Sequence, residues 1–206
     1  MMKPRGFYAV LDRDDEQLAR MLIAQGGARI LQVRIKPALA DDIIRVGHMA
    51  RRVCTELGAS LVINDRVDIA LTVGADAVHL GQTDLPIAEA RRIAGTRLAY
   101  GISTHNLDQV RAAIAERPDY IAYGPVFTTT TKLDPDPVVG LEALRAAVQV
   151  AGDIPVVAIG GISPSNARDI YEVGASSICA ISAVNAAKDP VAAALSLGNL
   201  AVTSPT

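Results

Sequence analysis

The sequence predicts an α/β protein, a single-domain (β/α)8 TIM barrel, and three observations carry that expectation. Short apolar runs alternate with amphipathic segments eight times along the chain. Half of the residues are hydrophobic but only 3% are aromatic, so the apolar content is mostly Ala, Val, Ile and Leu. That composition suits strands buried on both faces under a layer of helices. Finally, no linker or composition shift divides the 206 residues. Eight units of this length close most economically into a barrel, at the small end of the fold's range. An open doubly wound sheet is the alternative, and the lack of a G-x-G-x-x-G turn opening a helix after the first strand argues against it.

The elements follow in order. Phe7–Leu11 reads as the first strand and Asp15–Gln25 as a helix leaving through Gly26. Ile30–Ile35 is the second strand, followed by a helix over Asp41–Leu57 with Gly58 at its exit. Leu61–Asn64 and Ala77–Leu80 are the third and fourth strands, with Gly74 closing the segment between them. Ala99–Ile102 leads to a helix over Leu107–Glu116, capped by Asn106. Tyr120–Tyr123 is the sixth strand, followed by a helix over Leu141–Val150 that exits at Gly152. Pro155–Ile159 precedes a helix over Asn166–Val173 with Ser165 as N-cap and Gly174 at its exit, and Ser177–Ile181 is the eighth strand. The domain is expected over residues 1–202, with a frayed tail at 203–206.

Bulk properties exclude several partners. A net charge of −2 and a pI near 5.9, without a basic block, provide no drive toward nucleic acid or an anionic membrane. No apolar stretch reaches the roughly 18 residues of a membrane span, and the acidic run after Leu11 prevents a signal-peptide core. A cytoplasmic protein is expected. Cys54 and Cys179 lack metal or redox spacing and read as small buried apolar residues. The sequence leaves a homo-oligomer open.

The unusual polar residues fall at the carboxyl ends of the strands, which a barrel gathers on one face. In Gln32-Val33-Arg34-Ile35-Lys36, period-two alternation puts Gln32, Arg34 and Lys36 on one side and Ile35 on the other. Inward-pointing cations need a compensating anion, either a ligand phosphate or carboxylates of a salt-bridged interior. Asn64-Asp65-Arg66 and His79-Leu80-Gly81-Gln82-Thr83-Asp84 end the next two strands. Asp65 and Asp84 are each open to an N-cap reading, yet as a pair they suit Mg2+, which takes few carboxylates and keeps waters and substrate phosphates. Ser103 and His105 follow the fifth strand. His79 or His105 is a candidate general base or a structural group, whereas His48, within a helical pattern, is expected in solvent. After the sixth strand, Gly124-Pro125-Val126-Phe127-Thr128-Thr129-Thr130-Thr131-Lys132 sets hydroxyls beside one cation, as a phosphate-binding loop or a polar surface loop would. Gly160-Gly161 and Ser182 stand after the seventh and eighth strands, where barrels often hold a phosphate.

These clusters, in this order, resemble thiamine phosphate synthase over nearly the whole chain, from Tyr8-Ala9-Val10 to Ile181-Ser182-Ala183. The resemblance implies a (β/α)8 transferase joining hydroxymethylpyrimidine diphosphate to a thiazole phosphate with release of pyrophosphate. It implies that Gln32, Arg34, Lys36, Asn64, Ser103 and Lys132 bind the pyrimidine diphosphate, with Arg34, Lys36, Ser103 and Lys132 catalytic. Asp65 and Asp84 would hold Mg2+, Thr129, Thr130 and Thr131 would face the thiazole, and Gly161, Ile181 and Ser182 would take its phosphate. Ile35 and Thr128 depart from the family, which commonly has an acidic residue and a proline there. A related barrel that tautomerises the thiazole phosphate and a non-catalytic phosphate-ligand binder are the other readings. Neither requires Lys132, Asp65 and Asp84 together.

Overall fold

The computed structural model describes residues 2–129 and 136–198. The expected tail at 203–206 lies outside them, as do Thr130, Thr131 and Lys132. Eight parallel strands close in sequence order, β1 through β8 and back to β1. They are β1 Gly6–Leu11, β2 Ile30–Val33, β3 Ser60–Asn64, β4 Ala77–Leu80, β5 Ala99–Thr104, β6 Tyr120–Tyr123, β7 Val156–Ile159 and β8 Ser177–Cys179. The helices among the described residues are α1 Glu16–Ala24, α2 Ala40–Leu57, α3 Val67–Thr72, α4 Ile87–Ala94, α5 Leu107–Ala115, α6 Gly140–Ala151, α7 Ala167–Glu172, α8 Ser182–Asn185 and α9 Pro190–Gly198. The alternation read from the sequence is therefore the fold.

Some boundaries differ for local reasons. β2 stops two residues before Ile35, although Arg34 N–H still donates to Leu11 O. β5 runs on to Thr104, paired with Tyr123 of β6. β8 ends before Ile181, whose backbone has already turned helical ahead of α8. Asn106 caps α5 as expected, accepting from Gln109 N–H. Ser165 does not cap α7: the chain enters that helix at Asn166, whose Oδ1 accepts from Ser163 N–H, and the Ser165 hydroxyl meets the Ser163 hydroxyl.

Two apolar clusters follow from the period of two in the strands. Outward residues such as Ala9, Leu31 and Leu61 pack under the helices, in one cluster with Leu18 and Leu22 of α1 and Val46, Ala50 and Val53 of α2. Inward residues Ile30, Val62, Ala77, Val157 and Cys179 plug the barrel together with Tyr8 and Tyr120. Cys54 and Cys179 are both buried, one in each layer. Gly101 stands between His79 and Tyr120 in the strand register. A Cβ there would run into the Tyr120 ring, so the missing side chain is what lets Tyr120 lean across β5 onto His79, ring centroids 5.6 Å apart. Gly101→Ala overpacks this point and is expected to cost about 1–3 kcal/mol, read as a shifted urea midpoint at unchanged slope.

Candidate active site

Above the apolar plug the barrel opens at the carboxyl ends of its strands into a cavity of about 440 Å³. Gln32, Arg34, Lys36, Asn64, Asp65, Asp84 and Ser103 all line it. So do Thr129, Gly161, Ile181 and Ser182, so the predicted residues within the described structure meet in one place. Three more, Thr130, Thr131 and Lys132, lie outside the described residues.

The charged groups gather at the ends of β2, β3 and β4. Lys36 Nζ is 2.6 Å from Asp65 Oδ2. Asp65 occupies a left-handed backbone (φ 64°), and Arg66, not Asp65, takes the N-cap position of α3. Asp84 does not cap α4 either, since Pro86 takes that place and Asp84 Oδ2 accepts from Gly81 N–H at 2.7 Å. Burial, then the hydrogen-bonded carboxyl of Asp65, push the Asp84 carboxyl above its ordinary value, against the opposing pull of Gly81 N–H and Lys36. Two carboxyls in contact are stable only with a proton or cation between them. Among the described residues no third potential ligand of His, Cys, Asp or Glu type joins them to make a cage. A carboxylate pair beside open cavity fits an oxygen-seeking divalent cation that retains other ligands. Ile35, on the opposite side of its strand, packs against the outer core, as the alternation requires.

Across the mouth, β7 and β8 supply the glycines and Ser182. Gly161 has φ 63°, and a Cβ on it would collide with the backbone of Phe127 and Thr128. The loop after β6 therefore lies directly on Gly161. Its entry is pinned by Val126 N–H to Ile159 O and Phe127 N–H to Gly160 O. Ser182 is the first residue of α8.

The two histidines near the mouth are held by different partners. His105 donates Nδ1–H to Gly124 O at 2.6 Å and sets Nε2 3.5 Å from Asp136 Oδ2. His79 is buried, with Nδ1 3.0 Å from the Tyr120 hydroxyl and Nε2 2.8 Å from Ser103 Oγ. Burial, with a smaller contribution from Arg34 and against Asp65, pulls its imidazole down to about 4. His48 lies exposed on α2. Sequence reasoning missed Tyr8 and Tyr120, which sit in apolar runs and read there as core. Their hydroxyls meet at 2.8 Å under the cavity, and the usable signal was that Tyr8 shares the inward parity of Val10, paired with Gln32.

With this geometry in place, comparison with known proteins is decisive. The profile of the thiamine monophosphate synthase family matches residues 7–184. The chain belongs to that family. A thiamine-phosphate synthase of Chloroflexus aurantiacus is 46% identical over 172 residues, covering 84% of this chain and 79% of that protein. One from Moorella thermoacetica is 41% identical over 178 residues, covering 86% and 84%. The solved thiamine phosphate pyrophosphorylase of Pyrococcus furiosus superposes with a TM-score of 0.86 at 36% identity, over 96% of this chain and 95% of that one. The family's activity is that of a transferase making thiamine phosphate. No described helix is long and apolar enough to cross a membrane.

The buried imidazole has a stability consequence. Folded His79 takes a proton only near pH 4, whereas its ordinary value is 6.5, so the unfolded chain binds more protons in between. The associated stability is complete above pH 6.5 and is lost as pH falls toward 4. His79→Gln removes this dependence. Urea unfolding across that window is expected to show the wild type losing up to about 3 kcal/mol more than the variant.

Proposed function

We propose that this cavity condenses 4-amino-2-methyl-5-hydroxymethylpyrimidine diphosphate with 4-methyl-5-(2-phosphoethyl)thiazole, or its carboxylated form, giving thiamine phosphate and pyrophosphate, with CO2 from the carboxylated substrate. The observation that carries this reading is the pair of polar subsites in one cavity. Arg34, Lys36, Asp65 and Asp84 cluster just beyond the ends of β2 to β4, and Gly161 and Ser182 stand across the closed barrel, after β7 and after β8. Two anionic small-molecule substrates need two such places.

The cationic cluster takes the diphosphate. Arg34 offers a planar fork to its oxygens, Lys36 and Lys132 offer point charges, and Asn64 an amide. Asp65 and Asp84 would hold Mg2+, whose contribution when bound is to neutralise diphosphate charge. Gln32 and Ser103 meet the pyrimidine ring. Thr129, Thr130 and Thr131 face the thiazole, while Gly161, Ile181 and Ser182 hold its phosphate.

The described cavity contains no obvious nucleophile–base pair, and the reaction does not need one. The bond from the pyrimidine methylene carbon to the diphosphate oxygen breaks, and its electron pair leaves with pyrophosphate. The electron-rich ring carries the cation until the thiazole nitrogen lone pair forms the new C–N bond. Arg34, Lys36 and Lys132 act by being placed where negative charge grows, and the remaining contacts hold the two rings in line.

The direct test mixes purified protein with both substrates, with and without Mg2+, and measures thiamine phosphate and pyrophosphate. Mg-dependent formation of both is expected, and its absence overturns the reading. Lys132→Ala is expected to lower kcat by about 10²–10³. Its unfolding free energy should stay within about 0.5 kcal/mol of wild type. Near-normal turnover would remove Lys132 from the catalytic role.

A further inference from the structure

Five residues from five strands form one unbroken hydrogen-bonded chain under the cavity. Gln32 Nε2 meets the Tyr8 hydroxyl at 2.8 Å, and the Tyr8 and Tyr120 hydroxyls are also 2.8 Å apart. The Tyr120 hydroxyl meets His79 Nδ1 at 3.0 Å, and His79 Nε2 meets Ser103 Oγ at 2.8 Å. Both tyrosines are buried at 2% exposure or less and His79 at 8%, so these groups satisfy one another and not bulk water.

Proton counting restricts this chain. Each hydroxyl has one proton to give, and so does a neutral imidazole. Only two arrangements fill every link and leave neither buried tyrosine proton without an acceptor, each running in one direction from end to end. With the Gln32 amide as placed, Nε2–H donates to Tyr8, Tyr8 must donate to Tyr120, and Tyr120 must donate to His79 Nδ1. His79 is then the Nε2–H tautomer and donates to Ser103 Oγ. The two ends face the cavity with defined characters: Gln32 Oε1 accepts, and the Ser103 hydroxyl proton is left to donate. In the reverse direction both characters invert together.

We infer that Tyr8, Tyr120 and His79 are specificity-determining positioning residues, which fix the hydrogen-bond polarity of Gln32 and Ser103 so that the cavity takes an aminopyrimidine and rejects its oxo counterpart. An exocyclic amino group and a ring nitrogen present a donor and an acceptor, matching Gln32 Oε1 and the Ser103 hydroxyl. A ring carbonyl with its N–H presents the opposite order. Accepting it requires all five groups to turn over, so the discrimination is a property of the whole chain. The inference rests on the pyrimidine lying at Gln32 and Ser103, as in the proposed function.

The test has two arms on the full-length protein. In the first, calorimetric titration with Mg2+ and no thiazole compares the diphosphate of 4-amino-2-methyl-5-hydroxymethylpyrimidine with that of its 4-oxo analogue. The wild type is expected to favour the amino form strongly. Tyr120→Phe, which keeps the ring over His79 but cuts the chain, is expected to reduce that preference at least tenfold. Tyr123→Phe, on the outward face of the same strand, should leave it unchanged. In the second arm, nitrogen NMR of histidine-labelled protein reads the His79 tautomer without any ligand. Nε2–H with a bare Nδ1 is expected, and the signal should change in Tyr120→Phe while persisting in Tyr123→Phe. An Nδ1–H tautomer in the wild type, no amino preference there, or an unaltered preference in Tyr120→Phe each overturns the inference. Amino preference and the expected tautomer without formation of thiamine phosphate would overturn the proposed reaction alone.

Discussion

The interior of a closed eight-stranded barrel has no room for bulk water, so every polar group that points inward must find its partner among the other inward residues. That constraint organises this molecule. Below the middle of the strands it is met by omission, with apolar residues such as Ile30 and Ala77 filling the space. At the level of Tyr8, Gln32, His79, Ser103 and Tyr120 it is met by mutual hydrogen bonding. Above that level it ceases to apply, and the charged residues gather where the cavity begins. The hydrogen-bonded layer is thus both the lid of the core and the floor of the site.

The charges above the floor are arranged around an imbalance. Lys36 answers Asp65, but Asp84 lies against Asp65 as well, and burial makes its negative form still more costly. The protein holds two carboxylates where it has provided one close described ammonium, an arrangement suited to a ligand that brings positive charge. The loop after β6 reaches the same mouth from the far side. Its backbone rests on Gly161, where a side chain would be excluded, so the threonine run begins beside the β7 glycines.

Much of this architecture is legible in the amino-acid sequence. The barrel follows from the alternation of elements, and the Gln32-x-Arg34-x-Lys36 parity puts those three side chains into the cavity while sending Ile35 to the outer core. Asp65 and Asp84 are less readable, since a carboxylate before a helix is more often a cap. Only the left-handed turn at Asp65 and the Gly81 contact of Asp84 show that neither serves that purpose. The Tyr8–Tyr120 link is unreadable from sequence, because it joins residues 112 apart and depends on the register of strands across the barrel. Ser165 fails as a cap because two polar side chains compete at that turn, and Asn166 takes the Ser163 N–H that helps shape it.

The histidines show how placement changes the meaning of a residue type. Each follows or ends a strand at the catalytic mouth, the usual location of a general base. His105 instead donates to Gly124 O where the sixth strand ends, and faces Asp136 beyond the threonine run, thereby holding both flanks of that loop. His79 is stacked on Tyr120 and committed through both ring nitrogens. A proton taken up by His79 would have to break one of the bonds that support the site. His79 is therefore not available for proton transfer, and most of the groups facing the cavity are cations, carboxylates, amides and hydroxyls. Such a set can hold and neutralise charge and orient two rings, which suits the reaction proposed above, whose leaving group departs without a nucleophile from the protein.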